Sequence, residues 1–136
     1  RIGELLKLFD VDYEDKRFDL YSAGMKQKFA IMRGLLHDPE LLLLDEPTAN
    51  LDYASAIELR SFIRQRLATE GGKTVIFTTH HMDEAIDLCG LFMVMNKGKV
   101  LGLGTPGELG RSARLPGAGL GEIFMKLTHP KEAPYV

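Results

Sequence analysis

Two adjacent carboxylates, a histidine and a hydroxyl mark the places where this chain could do chemistry. Leu41-Leu42-Leu43-Leu44 runs directly into Asp45-Glu46-Pro47, so an apolar strand would carry a pair of carboxylates to a polar rim. One carboxylate placed there suits Mg²⁺ beside a nucleoside triphosphate, because Mg²⁺ takes oxygen ligands and keeps several waters. The second can orient or deprotonate an attacking water. The same residues also read as a buried strand that ends in an acidic turn. Just past the turn, Thr48-Ala49-Asn50-Leu51-Asp52 supplies one more carboxylate.

The hydroxyl is Ser22, in Tyr21-Ser22-Ala23-Gly24-Met25. At the start of a helix it offers an OH and unpaired backbone N–H groups at the positive end of the dipole, which suits a phosphate. It is equally an ordinary N-cap. The histidine is His80, in Thr78-Thr79-His80-His81. A strand-terminal imidazole can bond a phosphate oxygen or an attacking water, or be a satisfied structural residue. The His80-His81 pair does not make a zinc site, since adjacent side chains diverge and no Cys or third His stands at ligand spacing. Gly71-Gly72-Lys73-Thr74 ends like the phosphate-cradling loop G-x-x-x-x-G-K-[ST], but that register demands Gly where the chain has Leu67. It also lies between a helix and a following strand, the reverse of what such a loop needs. It reads as a helix stop and a turn.

The elements that must position these groups follow from periodicity. Ile2, Leu5, Leu6 and Phe9 repeat at helical spacing until the acidic stretch from Asp10 to Asp19. Met25, Phe29, Met32, Leu35 and Leu36 predict a helix over about 23–37, closed by Asp38-Pro39. Leu41 to Leu44 is a strand buried on both faces, and Thr74 to Thr79 is a second. Between them Ile57, Leu59, Phe62, Ile63 and Leu67 predict one helix over about 53–69, ended by Gly71-Gly72. A short helix runs from Met82 to about Cys89. Leu91 to Met95 and Val100 to Leu103 then flank a hairpin turn at Asn96-Lys97-Gly98-Lys99. Residues 104–119 read as turns, and Leu120 to Leu127 as a last amphipathic helix. Strands alternating with helices, with apolar runs in place of alternation, predict an α/β domain on a parallel sheet. In such sheets active groups gather at the carboxyl ends of strands, so Asp45, Glu46 and His80 are placed where they could converge on one ligand.

Composition bounds the rest. With 17 Lys plus Arg against 19 Asp plus Glu in 136 residues, a net charge of -2 gives no basic field for nucleic acid, which is excluded as a partner. The longest apolar run, Leu91 to Met95, is five residues, far short of the roughly 20 a bilayer span needs. The single cysteine, Cys89, allows no internal disulfide and fits a reducing compartment. Cys89 and the methionines are expected to pack in the core.

Ser22, Asp45-Glu46, Asp52 and His80, in this order with 23 residues from Ser22 to Asp45 and 35 from Asp45 to His80, resemble the C-terminal half of an ABC-type ATPase. The resemblance covers nearly the whole chain. Tyr21 to Met25 is similar to the signature motif, Leu41 to Glu46 to Walker B with its catalytic glutamate, Ala49 to Asp52 to the D-loop, and His80 to the switch histidine. It implies a P-loop NTPase-type parallel sheet with flanking helices, present in part from the signature helix to the C-terminal end of the domain. Residues 1–38 would then belong to the helical subdomain, 39–105 to the core sheet and 106–136 to a C-terminal tail. It also implies ATP and Mg²⁺ as cofactors, with Asp45 holding Mg²⁺ through water, Glu46 polarising the attacking water and His80 contacting the γ-phosphate. Ser22, Ala23, Gly24 and Met25 would cap a nucleotide held mainly by a second ATP-binding subunit in a head-to-tail dimer, with Asn50 and Asp52 at that interface. An integral membrane permease would be the other partner, placing the protein on the cytoplasmic face of the membrane.

Thr78 to Ala85, Gly102 to Pro106 and Gly121 to Thr128 are further similar to the type-2 exporter group, which exports drugs, lipids, polysaccharides or ions. Two positions depart from the commonest signature, which has Gly and Gln where this chain has Ala23 and Met25. Ala resists positive φ and Met has no amide. The family's phosphate loop, base-stacking aromatic and Q-loop are not in these residues, and the chain starts at Arg1 inside a helix. The expectation is a fragment that neither binds nor hydrolyses ATP well alone. The competing expectations are a soluble ABC-type ATPase unconnected with transport, and an inactive truncated fragment.

Overall fold

The computed structural model describes residues 1–129, which form an α/β protein divided into two compact units between His80 and His81. In the first unit, helix α1 (Ile2–Leu8) buries Leu5 and delivers Phe9 onto Phe62, with ring centroids 4.2 Å apart. After the acidic loop and one 3₁₀ turn (Phe18–Leu20), helix α2 (Ala23–Leu35) buries Ile31, Met32 and Leu35. It stops just before Asp38, which adopts φ +50° ahead of Pro39. The Arg1 guanidinium closes this end, donating to the Leu35 carbonyl at 3.2 Å and to Asp38 at 2.7 Å, and so satisfies an orphan carbonyl of the last turn.

Strands β1 (Leu41–Asp45) and β2 (Thr74–Thr78) pair in parallel, in register from Leu41↔Thr74 to Asp45↔Thr78. The crossover contains helix α3 (Tyr53–Phe62), expected to continue as a regular helix to residue 69. Instead the wider π geometry takes over from Ile63 to Thr69. There the Glu70 N–H reaches the Gln65 carbonyl at 2.8 Å and the Thr69 hydroxyl reaches the Arg64 carbonyl at 2.8 Å, both five residues back. Ile63 and Leu67 remain buried through this stretch, so the unusual pitch keeps the apolar stripe on the core. The Gly-Lys-Thr sequence is structural. A Cβ on Gly71 would lie 2.7 Å from the Leu67 carbonyl oxygen, and the Lys73 ammonium bonds Asp38 at 2.8 Å and the Pro39 carbonyl at 2.9 Å.

The strands are not buried on both faces. Leu42 faces the core formed by Leu5, Phe9, Ile31, Met32, Leu35, Leu59, Ile63 and Leu67. On the other side Leu41, Leu43 and Ile76 are 48%, 68% and 54% exposed. Helices of this unit cover one face, and the period of two in a strand turns alternate residues away from them.

In the second unit, helix α4 (Met82–Leu88) precedes an antiparallel hairpin of β3 (Phe92–Asn96) and β4 (Lys99–Gly104). Its two turn residues, Lys97 and Gly98, both have positive φ (48° and 72°), the geometry that matches the strand twist. Helices α5 (Pro106–Ser112) and α6 (Leu120–Thr128) complete the unit, and Phe92, Val94, Leu109, Ala113, Leu120 and Ile123 form its core. Helix α5 corrects the expectation of turns over 104–119. Thr105 and Glu108 form a reciprocal capping box around Pro106 at the first helical position, a start signal that outweighs the two glycines inside the helix. The methionine expectation also fails in part. Met32 is buried and Cys89 and Met82 pack on the second core, but Met93, Met95 and Met125 are more than half exposed because they lie on the open sides of the hairpin and of α6.

Candidate functional site

Strand β1 ends at Asp45, and the next residue, Glu46, turns the chain with φ +43°. A non-glycine residue in this region is uncommon and needs local support. The neighbouring strand gives it. The Glu46 N–H donates to the Thr78 carbonyl at 3.2 Å and to the Thr78 hydroxyl at 3.0 Å, while that hydroxyl donates to the Asp45 carboxylate. Two residues past Thr78, His80 places Nδ1 2.8 Å from Glu46 Oε1. Asp45, Glu46 and His80 are thus gathered at the carboxyl ends of two parallel strands.

Glu46 is held unevenly. Its Oε1 meets the imidazole, whereas Oε2 is buried with no hydrogen-bond partner among the described residues. A buried carboxylate oxygen without a donor is costly unless something brings a proton to it. Water or a ligand hydroxyl would do so. The Asp45 carboxylate is exposed at the rim and, apart from Thr78, open to a hard cation. Among the described residues no three His, Cys, Asp or Glu side chains come together to enclose a metal. Mg²⁺ needs no such cage, because one or two carboxylates with waters and substrate phosphates complete its shell. The donor set therefore fits Mg²⁺.

A second group of candidates lies where α2 and α3 begin. Ser22 caps α2, its Oγ accepting the Met25 N–H at 3.2 Å. That bond uses an acceptor lone pair and leaves the hydroxyl proton to donate, so the cap and the anion-binding reading are compatible. The two departures from the commonest signature are both accommodated. Ala23 is the first helical residue and does not have positive φ. Met25 replaces the missing amide with its thioether, whose Sδ accepts the Ser22 N–H at 3.5 Å.

Asn50 adopts φ +64°, a conformation Asn tolerates better than most residues. Asp52 caps α3, its two oxygens accepting the Ser55 N–H at 3.0 Å and the Ser55 hydroxyl at 2.6 Å. These two bonds, the hydroxyl first, hold the Asp52 carboxyl below its ordinary value. Ser55 also faces Gly24, where an added Cβ would lie 3.5 Å from its Oγ. Ser22, Gly24, Leu51 and Ser55 border a cleft of about 190 Å³. That is smaller than the roughly 300 Å³ at which ligand pockets begin, so it can seat one group of a ligand and not a nucleotide.

Thr78 and Ser55 were not singled out by the sequence reading. Ser55 was detectable as the third helical residue after an Asp cap, whereas Thr78 depends on its register with Asp45, which the sequence does not show.

Residues 9–87 match a family model described as "AAA domain, putative AbiEii toxin, Type IV TA system". The chain is 40% identical over 126 residues to the ABC transporter ATP-binding protein NatA of Bacillus subtilis, covering 92% of this chain and 50% of that protein. It is 36% identical over 110 residues to the spermidine/putrescine import ATP-binding protein PotA of Clostridium novyi, covering 80% of this chain and 31% of that one. A solved ATP-binding subunit of an ABC transporter superposes with a TM-score of 0.75 at 30% identity, over 93% of this chain and 52% of that one. The ATP-binding cassette MJ0796, solved as a dimer in a post-hydrolysis state with ADP and Pi, gives 0.65 at 27% identity over 76% of this chain and 44% of that one. The chain spans 50% and 31% of the lengths of these two curated relatives.

Proposed function

We propose, from the premise that this chain belongs to the AAA-domain family and that its homologues and structural neighbours are ABC transporter ATP-binding subunits, that it supplies the hydrolytic carboxylates and the trans-acting cap of such a subunit. The observation that carries the reading is Glu46, with one oxygen 2.8 Å from His80 Nδ1 and the other buried and unpartnered.

The reaction is phosphoryl transfer from ATP to water. Asp45 would hold Mg²⁺ through water; when bound, the ion neutralises charge on the phosphate oxygens. Glu46 would orient the attacking water with Oε2 and take its proton. His80 fixes the Glu46 side chain and would contact the γ-phosphate as charge develops there. Ser22, with its free hydroxyl proton, and the backbone N–H groups of Ala23, Gly24 and Met25 at the helix start would cap the γ-phosphate of a nucleotide held by a second subunit in a head-to-tail dimer. Asn50 and Asp52 would lie at that interface and couple the two sites.

Residues 1–38 would belong to the helical subdomain, 39–105 to the core sheet and 106–136 to the C-terminal tail. An integral membrane permease would complete the assembly, with this subunit peripheral on the cytoplasmic face of the membrane. Relatives named as ATP-binding proteins of transporters, importers among them, support ATP-driven transport; we assign export on the residues 78–85, 102–106 and 121–128. Transport of a substrate out of a cell that depends on the intact subunit would support it, and uptake would reverse the direction. By itself the 136-residue stretch should neither bind MgATP tightly nor hydrolyse it. Calorimetry tests this: micromolar MgATP binding by these residues alone would contradict it.

A further inference from the structure

We propose that Thr78 is a positioning residue for the carboxylate pair, acting through Asp45 and Glu46 and not on the substrate itself. The inference rests on the reading of Asp45 and Glu46 given above. Thr78 is the last residue of β2 and the register partner of Asp45, the last residue of β1. Its hydroxyl performs two tasks at once. It donates to Asp45 Oδ1 and accepts the Glu46 N–H at 3.0 Å, while its carbonyl accepts the same N–H at 3.2 Å.

The consequences are directional. The bond to Oδ1 orients the Asp45 carboxyl plane, and Asp45 would keep acceptor capacity for the water shell of a bound Mg²⁺. The bonds to the Glu46 amide hold the peptide that joins the two carboxylates, at a residue whose φ of +43° is unfavourable for a side chain with a Cβ. A hydroxyl is required for this. Valine has nearly the same shape and suits a strand, but it can neither donate nor accept. Serine keeps both functions. Because the bond to Asp45 involves a charged group, its loss is of the larger kind, about tenfold or more in an equilibrium or a rate.

The test compares Thr78→Val and Thr78→Ser in the full-length subunit. Thr78→Val should lower kcat by about tenfold or more with KM for ATP changed less than about threefold, and Thr78→Ser should recover most of the loss. Hydrogen exchange at the Glu46 amide should quicken about tenfold in Thr78→Val, with the amides of Val75 to Phe77 unchanged, and return in Thr78→Ser. Exchange at Glu46 and kcat both within about twofold of the unaltered protein in Thr78→Val would overturn the inference. So would a Ser variant as impaired as the Val variant. A subunit with no ATPase activity before any substitution would instead sink the reading of Asp45 and Glu46, and the exchange measurement would still decide on Thr78.

Discussion

His80 Nδ1 and Glu46 Oε1 lie 2.8 Å apart although 34 residues separate them in sequence. An ionised carboxylate only accepts hydrogen bonds, so Nδ1 carries a proton in this contact, and a bond from the other ring nitrogen to a phosphate oxygen requires a proton there too. The His80 side chain is 69% exposed and the Glu46 side chain 34%. Pairs this open to solvent add little to stability. The value of the contact is therefore orientation: it turns Oε2 inward, where it is buried and has no hydrogen-bond partner among the described residues.

Coupling between the two side chains follows. In the full-length subunit His80→Ala should reduce turnover by about a hundredfold or more, and adding His80→Ala to Glu46→Gln should cost much less than the two single losses together. Steady-state rates of all four proteins in one cycle measure this. Strict additivity would mean that the two residues act independently.

Gly24 separates stability from function. It is helical, its φ is not positive, and an added Cβ would meet Ser55 only at ordinary contact distances of 3.5 and 3.6 Å. Nothing among the described residues requires glycine there. Gly24→Ala should leave thermal stability unchanged or raise it by up to about 0.5–1 kcal/mol. The same change should weaken ATP turnover, because the methyl would intrude where a phosphate approaches the helix start. Denaturation curves and ATPase rates on the same protein check both halves, and a variant with lowered stability and normal turnover would reverse the assignment.

The acid limb of stability has identifiable sources. Asp38 is held below the ordinary carboxylate range by the Lys73 ammonium bonded to it and then by Arg1, and Asp52 by the Ser55 hydroxyl and N–H. A folded-state value below the unfolded one means that the stabilisation is present at neutral pH and is lost as pH falls through the folded value. Asp38→Asn should lower the unfolding midpoint at about pH 7 and make progressively less difference as the solution is acidified toward about pH 2. Equal losses at the two pH values would show that packing, and not charge, is responsible.

The fold was readable where periodicity and chemistry agree. Leucines at 41–44 ending in Asp45-Glu46 announced both the strand and its carboxylate-bearing end, and the Ser22 cap and Asp38-Pro39 stop bounded α2 within two residues. Three features lay beyond it. The π geometry over Ile63–Thr69 keeps the same apolar residues buried as an α-helix would, so the pattern does not distinguish them. The bare face of β1 depends on what packs beside it, which an apolar run cannot tell. Helix α5 was hidden by glycines at 107 and 110, although its capping box stood in plain view. At the site, the gathering of Asp45, Glu46 and His80 was legible from strand ends alone. The Met25 thioether standing in for an amide was not, because it depends on a side-chain rotamer.

The central claim is that Glu46 is the residue that activates water for ATP hydrolysis. Measuring ATP affinity and turnover of the full-length subunit carrying Glu46→Gln tests it most directly. The substitution keeps the size of the side chain and removes its capacity to take a proton, so ATP binding should stay within about threefold while turnover falls by about a hundredfold or more. Full ATPase activity in that variant would contradict the account.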